Sequence, residues 1–177
     1  MTRVEGWRCR LGAVGIGLLV VAGGRAAPAA EPATDSNNTF LDALQGAWVM
    51  EGTLGGKPVR YRAEGQRVLQ GGFLRLHMTD ADSPPKYEAE LYIGYDAVAE
   101  DYIAHWLDRF GAAGARVVAT GKRRDDELVL VFPYSEGAFR DTFTWHPDPH
   151  SWSLLLESER ADGTWATFAN YTLTHPK

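Results

Sequence analysis

The chain has 177 residues, of which 45% are apolar and 11% aromatic, with 19 glycines and 9 prolines. This size and composition are typical of one globular domain, and they exclude a disordered tail, collagen and a coiled coil. The net charge of −5 does not provide the basic surface that phosphate binding requires, so we expect no nucleic-acid partner.

Residues 1–29 are predicted to form a signal peptide. Arg3, Arg8 and Arg10 precede an uncharged, apolar run over residues 11–24, and small residues suitable for cleavage follow it. The run is shorter than the roughly 20 residues of a membrane-spanning helix. We therefore expect an exported protein, periplasmic or extracellular, whose mature chain has no membrane span; nothing in the pattern specifies an oligomeric state.

The remainder is predicted to contain a flexible spacer over residues 30–37 and a folded domain over residues 38–177. The spacer is rich in Ala, Pro, Glu and Thr, which is typical of a poorly ordered segment. Cys9, the only cysteine, lies before the apolar run. We therefore expect neither a lipid anchor nor a disulfide in the mature domain, which must be stabilised by its hydrophobic core.

One short helix is predicted at residues 39–45, with Asn38 as its N-cap and Gly46 after its end. Beyond it, apolar and polar residues alternate with a period of two, as strands with one buried face require. The alternation predicts ten strands, at residues 48–54, 59–64, 73–78, 87–93, 101–108, 116–122, 128–134, 139–146, 151–159 and 165–174.

Short turns separate these strands, among them Gly55-Gly56 and Asp162-Gly163. Connections this short join antiparallel neighbours, because a parallel return needs a crossover of a dozen residues or more. A meander of this kind leaves two exposed edges unless the sheet closes on itself. We therefore predict an all-β fold, an up-and-down antiparallel β-barrel of about eight to ten strands with one short N-terminal helix. A two-sheet sandwich is the alternative, and it usually needs longer connections.

Several motifs support the barrel. A short helix leads into Gly46-Ala47-Trp48 at the start of the first strand, which is similar to the glycine-any-tryptophan motif of the lipocalin and fatty-acid-binding (calycin) barrels. Four further segments extend the likeness over residues 38–175: 67–74, 92–96, 106–108 and 119–121. Together they resemble a family of small secreted bacterial proteins with a lipocalin-like fold and no assigned function.

This resemblance implies a calycin barrel and no particular activity. It also implies an arginine from the last strand that covers the tryptophan of the first strand, yet residues 165–175 contain no arginine. Arg160 in the preceding turn is one substitute, and absence of the stacking is the other. Trp48 itself is predicted to fill the closed end of the barrel, because large aromatic side chains dominate cores.

Three histidines are candidates for metal or haem chemistry. His105 lies on a strand that is apolar on both faces, so an interior imidazole there would bind a haem iron or a metal ion. His146 and His150 flank Pro147-Asp148-Pro149, but the prolines fix a turn in which the two imidazoles need not converge. No metal site and no cofactor are predicted from them.

The sequence favours a protein that is not an enzyme. It has no cysteine nucleophile beyond the leader, no serine on a strand-turn-helix elbow and no glycine-rich phosphate loop that opens a helix. We therefore assign no catalytic residue.

The leading hypothesis is a barrel that binds a small apolar or amphipathic ligand in its interior. The alternation directs several aromatic side chains inward, where tyrosine hydroxyls would hold a carboxylate or a carbonyl group. The candidate ligand-binding residues are Tyr61, Tyr87, His105, Phe143, Trp145, Trp165 and Tyr171. The alternatives are haem or metal binding through His105, and a structural or interaction protein with a filled core.

Overall fold

In the computed structural model, which describes residues 36–177, one short helix is followed by ten antiparallel strands that close into a barrel. Each strand pairs with the next one along the chain, and β1 pairs with β10 to complete the barrel. The predicted fold class, a nearly all-β up-and-down antiparallel barrel with one helix, is confirmed. The elements are α1 (Ser36–Asp42), β1 (Gly46–Leu54), β2 (Lys57–Val68), β3 (Phe73–Asp80), β4 (Glu88–Asp96), β5 (Asp101–Asp108), β6 (Val118–Arg124), β7 (Glu127–Phe132), β8 (Phe139–His146), β9 (Ser151–Glu159) and β10 (Trp165–Thr174).

Strands β5, β8, β9 and β10 have the predicted limits, whereas β2 is about twice as long as predicted and the limits of β4, β6 and β7 differ by one to three residues. The helix differs, because it begins at Ser36 and ends at Asp42. Residues 36 and 37 of the predicted spacer therefore belong to α1. The predicted signal peptide, residues 1–29, and the first part of the spacer lie outside the described residues. Within residues 36–177, no helix combines the length and the apolar character that crossing a membrane requires.

The alternation has the expected physical origin, since successive side chains of a strand point to opposite faces. On β3, Leu74, Leu76 and Met78 are fully buried inside the barrel, whereas Arg75 and His77 lie between them on the outer face. The other strands alternate in the same way apart from a register shift in β10, and together they enclose one continuous core.

The helix closes one end of the barrel. Phe40, Leu41 and Leu44 are buried there. The Phe40 ring meets Trp152 edge to face at a centroid distance of 5.1 Å. The indole nitrogen of Trp152 donates a hydrogen bond to the carbonyl of Ala43 at 3.1 Å. These contacts fix the helix across the end of the barrel where β1 and β9 begin.

At the opposite end, residues 36–177 form no α-helix, and the connection between β5 and β6 contains only the 3-10 turn Gly114–Arg116. This is the end at which the odd-numbered strands finish and the even-numbered strands begin. The two longest connections, residues 81–87 and 109–117, both lie at this end. The interior of the barrel is therefore accessible from this side.

Candidate functional site

A cavity of about 510 Å³ occupies the interior at the end opposite α1. Phe110 and Phe168 lie at its rim and are 78% and 43% exposed, so the cavity reaches solvent. Its volume falls within the ~300–1,000 Å³ of small-molecule sites. The lining is mostly aromatic and aliphatic with a few polar groups: Met50, Leu54, Tyr61, Met78, Lys86, Tyr87, Trp106, Asp108, Phe110, Phe132, Tyr134, Phe139, Asp141, Leu156, Phe168 and Tyr171.

Three tyrosines form the polar part of one wall. Tyr61 meets Tyr87 at a centroid distance of 5.9 Å and Tyr171 at 5.8 Å, both edge to face. Burial raises the pKa of Tyr87 to about 12, and burial also raises the pKa values of Tyr61 and Tyr171. All three phenols therefore keep their protons at neutral pH and present hydroxyl groups that both donate and accept hydrogen bonds.

Asp141 provides a carboxyl group at mid-depth in the cavity. It projects inward from β8, between Phe139 at the rim and Phe143 nearer the closed end. Its register neighbours are Leu130 on β7 and Leu156 on β9, so its surroundings across the sheet are apolar. The residue is 3% exposed, and burial raises the pKa of its carboxyl to about 7.

Two further charged residues stand near the rim. The carboxylate of Asp108 accepts a hydrogen bond from the backbone nitrogen of Phe110 at 2.9 Å. The ammonium of Lys86 pairs with Asp82 at 2.6 Å. The charge of Lys86 is thus directed to a carboxylate that is not part of the lining.

The seven predicted ligand-binding residues separate into three groups: those that line the cavity, those that pack at the closed end, and those on the outer face. Tyr61, Tyr87 and Tyr171 line the cavity. Phe143 and Trp145 also point inward, but they pack around Trp152 towards the closed end, with ring centroids 6.4 Å and 5.1 Å from its indole. They support the floor of the barrel and do not line the cavity.

The structure corrects the predicted interior position of His105. Its imidazole lies on the outer face of β5, where its Nε2 is 2.7 Å from the carbonyl oxygen of Ala115. Trp106, the next residue, is the one that lines the cavity. The sequence did not show which residues of β5 point inward, because apolar side chains occur on both faces of this strand. The connection over residues 109–117 covers the outer face, which explains the apolar side chains there.

Trp165 is likewise corrected. The pairing of β10 with β9 shifts by one residue between Thr167 and Ala169, which is a β-bulge. A one-residue shift exchanges the two faces of the strand. Trp165 consequently lies on the outer face, where the guanidinium of Arg140 stacks over its ring at 4.3 Å, and Phe168 reaches the cavity in its place.

The remaining histidines have local partners. His146 Nε2 is 2.8 Å from the hydroxyl of Ser153, and the ring of His150 meets Trp145 edge to face at 5.6 Å. Within residues 36–177, no three side chains of the His, Cys, Asp or Glu types are grouped as metal ligands would be.

Sequence reasoning missed Asp141, the most deeply buried charged residue of the site. The signal was present, since Asp141 shares its phase on β8 with Phe139, Phe143 and Trp145. A single acidic residue on the apolar face of a strand indicates a polar group inside the barrel.

Comparisons with known proteins support the fold. No protein-family model and no curated protein matches the chain. Among solved structures, the chain is similar to the crystal structure of Rv2717c from M. tuberculosis, with a TM-score of 0.53 and 15% sequence identity. The match covers 78% of this chain and 96% of the other. At this identity the likeness concerns the fold alone.

Proposed function

We propose that the protein is an exported, calycin-like barrel that binds a small apolar or amphipathic ligand in the cavity at its open end. The observation that carries this proposal is the cavity of about 510 Å³, in which an apolar wall surrounds a small number of converging polar groups. Small-molecule sites typically combine these two features. A barrel of about this size can hold one small ligand in its interior.

The aromatic wall supplies the surface against which an apolar body packs. Phe132, Phe139 and Leu156 lie on three neighbouring strands or at their ends, and Trp106 lies on β5. Burying an apolar ligand surface against them contributes about 25 cal/mol per Å². The polar head of an amphipathic ligand would then contact the tyrosine hydroxyls and Asp141.

The cavity favours ligand binding over a purely structural role. A core that only stabilises the barrel is filled to close packing with few voids larger than a water molecule. Here the closed end around Trp48 and Trp152 is packed in this way, whereas the open end contains the cavity. Haem or metal binding through His105 has no support from the geometry, because that imidazole lies on the outer face beside Ala115.

The proposal is tested with N-phenylnaphthylamine, an uncharged fluorophore whose emission rises in apolar surroundings. The purified protein, freed of lipids by unfolding and refolding, is titrated with this probe. We expect a saturable rise in emission. Leu156→Trp, which adds bulk inside the cavity, should reduce the rise. Val129→Trp places the same ring on the outer face of β7 and should not.

Circular dichroism of both variants shows whether the barrel is intact. An absence of saturable binding by the folded wild-type protein would reject the proposed function.

A further inference from the structure

We infer that the ligand carries a protonated amine and that Asp141 binds it, so that the cavity is selective for cationic amphiphiles. This inference rests on the proposed function, because it assigns the class of ligand that the same cavity takes. It is carried by the position of Asp141 and by the charges around it.

The first step is that Asp141 has no partner among the residues that the structure describes. The residue is 3% exposed, and none of its neighbours among residues 36–177 donates a hydrogen bond to its carboxyl or forms an ion pair with it. Its carboxyl faces the cavity, whose lining it joins. A buried carboxylate without a partner is costly, and buried charges in proteins are normally paired.

The second step is that the nearest cations are engaged elsewhere. Arg140 precedes Asp141 in the chain, but it points to the outer face, where it pairs with Glu157 at 2.6 Å. Lys86, the only cationic side chain that residues 36–177 contribute to the lining, pairs with Asp82 at 2.6 Å. Among residues 36–177 the structure thus shows no cation paired with Asp141, and we assign that role to the ligand.

The third step is that the other groups in the cavity also favour a cation. Asp108 adds a second carboxyl group near the rim, and no histidine or arginine lines the cavity. The remaining ionisable residues of the lining are Tyr61, Tyr87, Tyr134 and Tyr171, whose pKa values are all raised, so that they stay neutral hydrogen-bonding groups. An anionic headgroup would meet two carboxylates, whereas an ammonium group would be attracted by them.

Three ligands with similar apolar chains distinguish a cationic, a neutral and an anionic headgroup: decylamine, decanol and decanoate. Each is used to displace N-phenylnaphthylamine from the purified protein at mildly alkaline pH, where Asp141 is ionised and the amine still carries its proton. We expect decylamine to displace the probe at a concentration about tenfold or more below that of decanol, as a charge-assisted hydrogen bond would produce. Decanoate should be the weakest of the three.

Asp141→Asn keeps the shape of the side chain and removes its charge. It should abolish the advantage of decylamine over decanol, because both headgroups then meet an uncharged amide. Glu127→Gln is the matched control, because Glu127 is an exposed acid at the start of the neighbouring strand β7. That variant should retain the wild-type preference.

Equal displacement by decylamine and decanol, stronger displacement by decanoate, or a preference that survives in folded Asp141→Asn would overturn the inference. Each of these results requires that the probe binds, so each leaves the proposed function in place. Failure of the probe to bind the folded wild-type protein would instead reject both proposals. If Asp141→Asn does not fold, the wild-type protein provides the second measurement, since the preference for decylamine over decanol must decline as the pH falls below about 7 and Asp141 becomes protonated.

Discussion

The imidazole of His175 stacks on the indole of Trp48, with ring centroids 4.0 Å apart and an interplanar angle of 27°. Trp48 is 2% exposed, and its indole nitrogen donates a hydrogen bond to the carbonyl of Leu44 at 2.9 Å. The stack connects His175, which follows β10, to Trp48 on β1. The hydrogen bond connects Trp48 to Leu44, which follows α1. From the sequence alone, Arg160 or no stacking at all were the alternatives for Trp48, whereas in the structure His175 provides the stacking ring.

The two rings of this stack should differ greatly in their contribution to stability. Trp48→Ala removes a buried side chain and is expected to lower the free energy of unfolding by ~3–5 kcal/mol. His175→Ala removes an exposed ring and should cost no more than about 1 kcal/mol. Urea unfolding monitored by circular dichroism measures both variants. Equal effects would contradict the assignment of Trp48 to the core.

Gly52 is expected to be required for closure of the barrel. It lies opposite Tyr171 on β10, and a Cβ atom at this position would stand 1.9 Å from the carbonyl oxygen of Asn170. Gly52→Ala should therefore lower the free energy of unfolding by ~1–3 kcal/mol, as overpacking does. Gly114→Ala is the control, since nothing lies within 4 Å of its added Cβ. A neutral effect of Gly52→Ala would mean that β1 and β10 separate more easily than the pairing indicates.

Removing one hydroxyl group from the tyrosines of the cavity should weaken ligand binding without unfolding the protein. Tyr171→Phe removes one hydroxyl from the cavity, which should weaken the binding of decanol by the ~0.5–1.5 kcal/mol of a neutral hydrogen bond. Tyr92→Phe removes a hydroxyl from the outer face of β4, where it donates to Glu90 at 2.6 Å. That control should bind decanol as the wild-type protein does. Displacement of N-phenylnaphthylamine measures both, and equal affinities of the two variants would count against a role for the cavity tyrosines.

Asp141 should make the stability of the barrel depend on pH. Its pKa is about 7 in the folded protein, against 3.8 ordinarily. Between these values the folded state keeps a proton that the unfolded state has released, so stability falls as the pH rises from about 4 to about 7. Above about 7 both states are ionised and the loss, about 4 kcal/mol, is complete and constant.

Asp141→Asn should remove this loss of stability, because an amide does not ionise. The variant should therefore have a higher free energy of unfolding than the wild-type protein at alkaline pH. Urea unfolding at a series of pH values measures the difference between the two proteins, from which the contributions of other groups cancel. Glu127→Gln should follow the wild-type curve. Parallel curves for wild type and Asp141→Asn would show that the carboxyl of Asp141 is already ionised or solvated throughout this range.

Part of the site was predictable from the alternation, because Tyr61 and Tyr171 lie on strands whose apolar and polar faces differ clearly, and Tyr87 immediately precedes such a strand. On β2, for example, Tyr61 and Ala63 are buried while Arg62 between them is exposed. His105 was not predictable in this way. A strand that is covered on both faces has no polar face to define its phase, so the choice between His105 and Trp106 needs the three-dimensional contacts.

The sequence by itself determined that this chain forms a closed, antiparallel barrel, because a period of two and short turns leave few other arrangements. It also determined which end is filled, through Trp48 next to a short helix. Only the tertiary structure decided which aromatic side chains surround empty space. The bulge near Thr167 exchanged Trp165 for Phe168, and the packing around Trp152 used Phe143 and Trp145 for the floor. Alternation reports the face of a strand, whereas depth along the barrel and local shifts of register depend on contacts between strands that are distant in sequence.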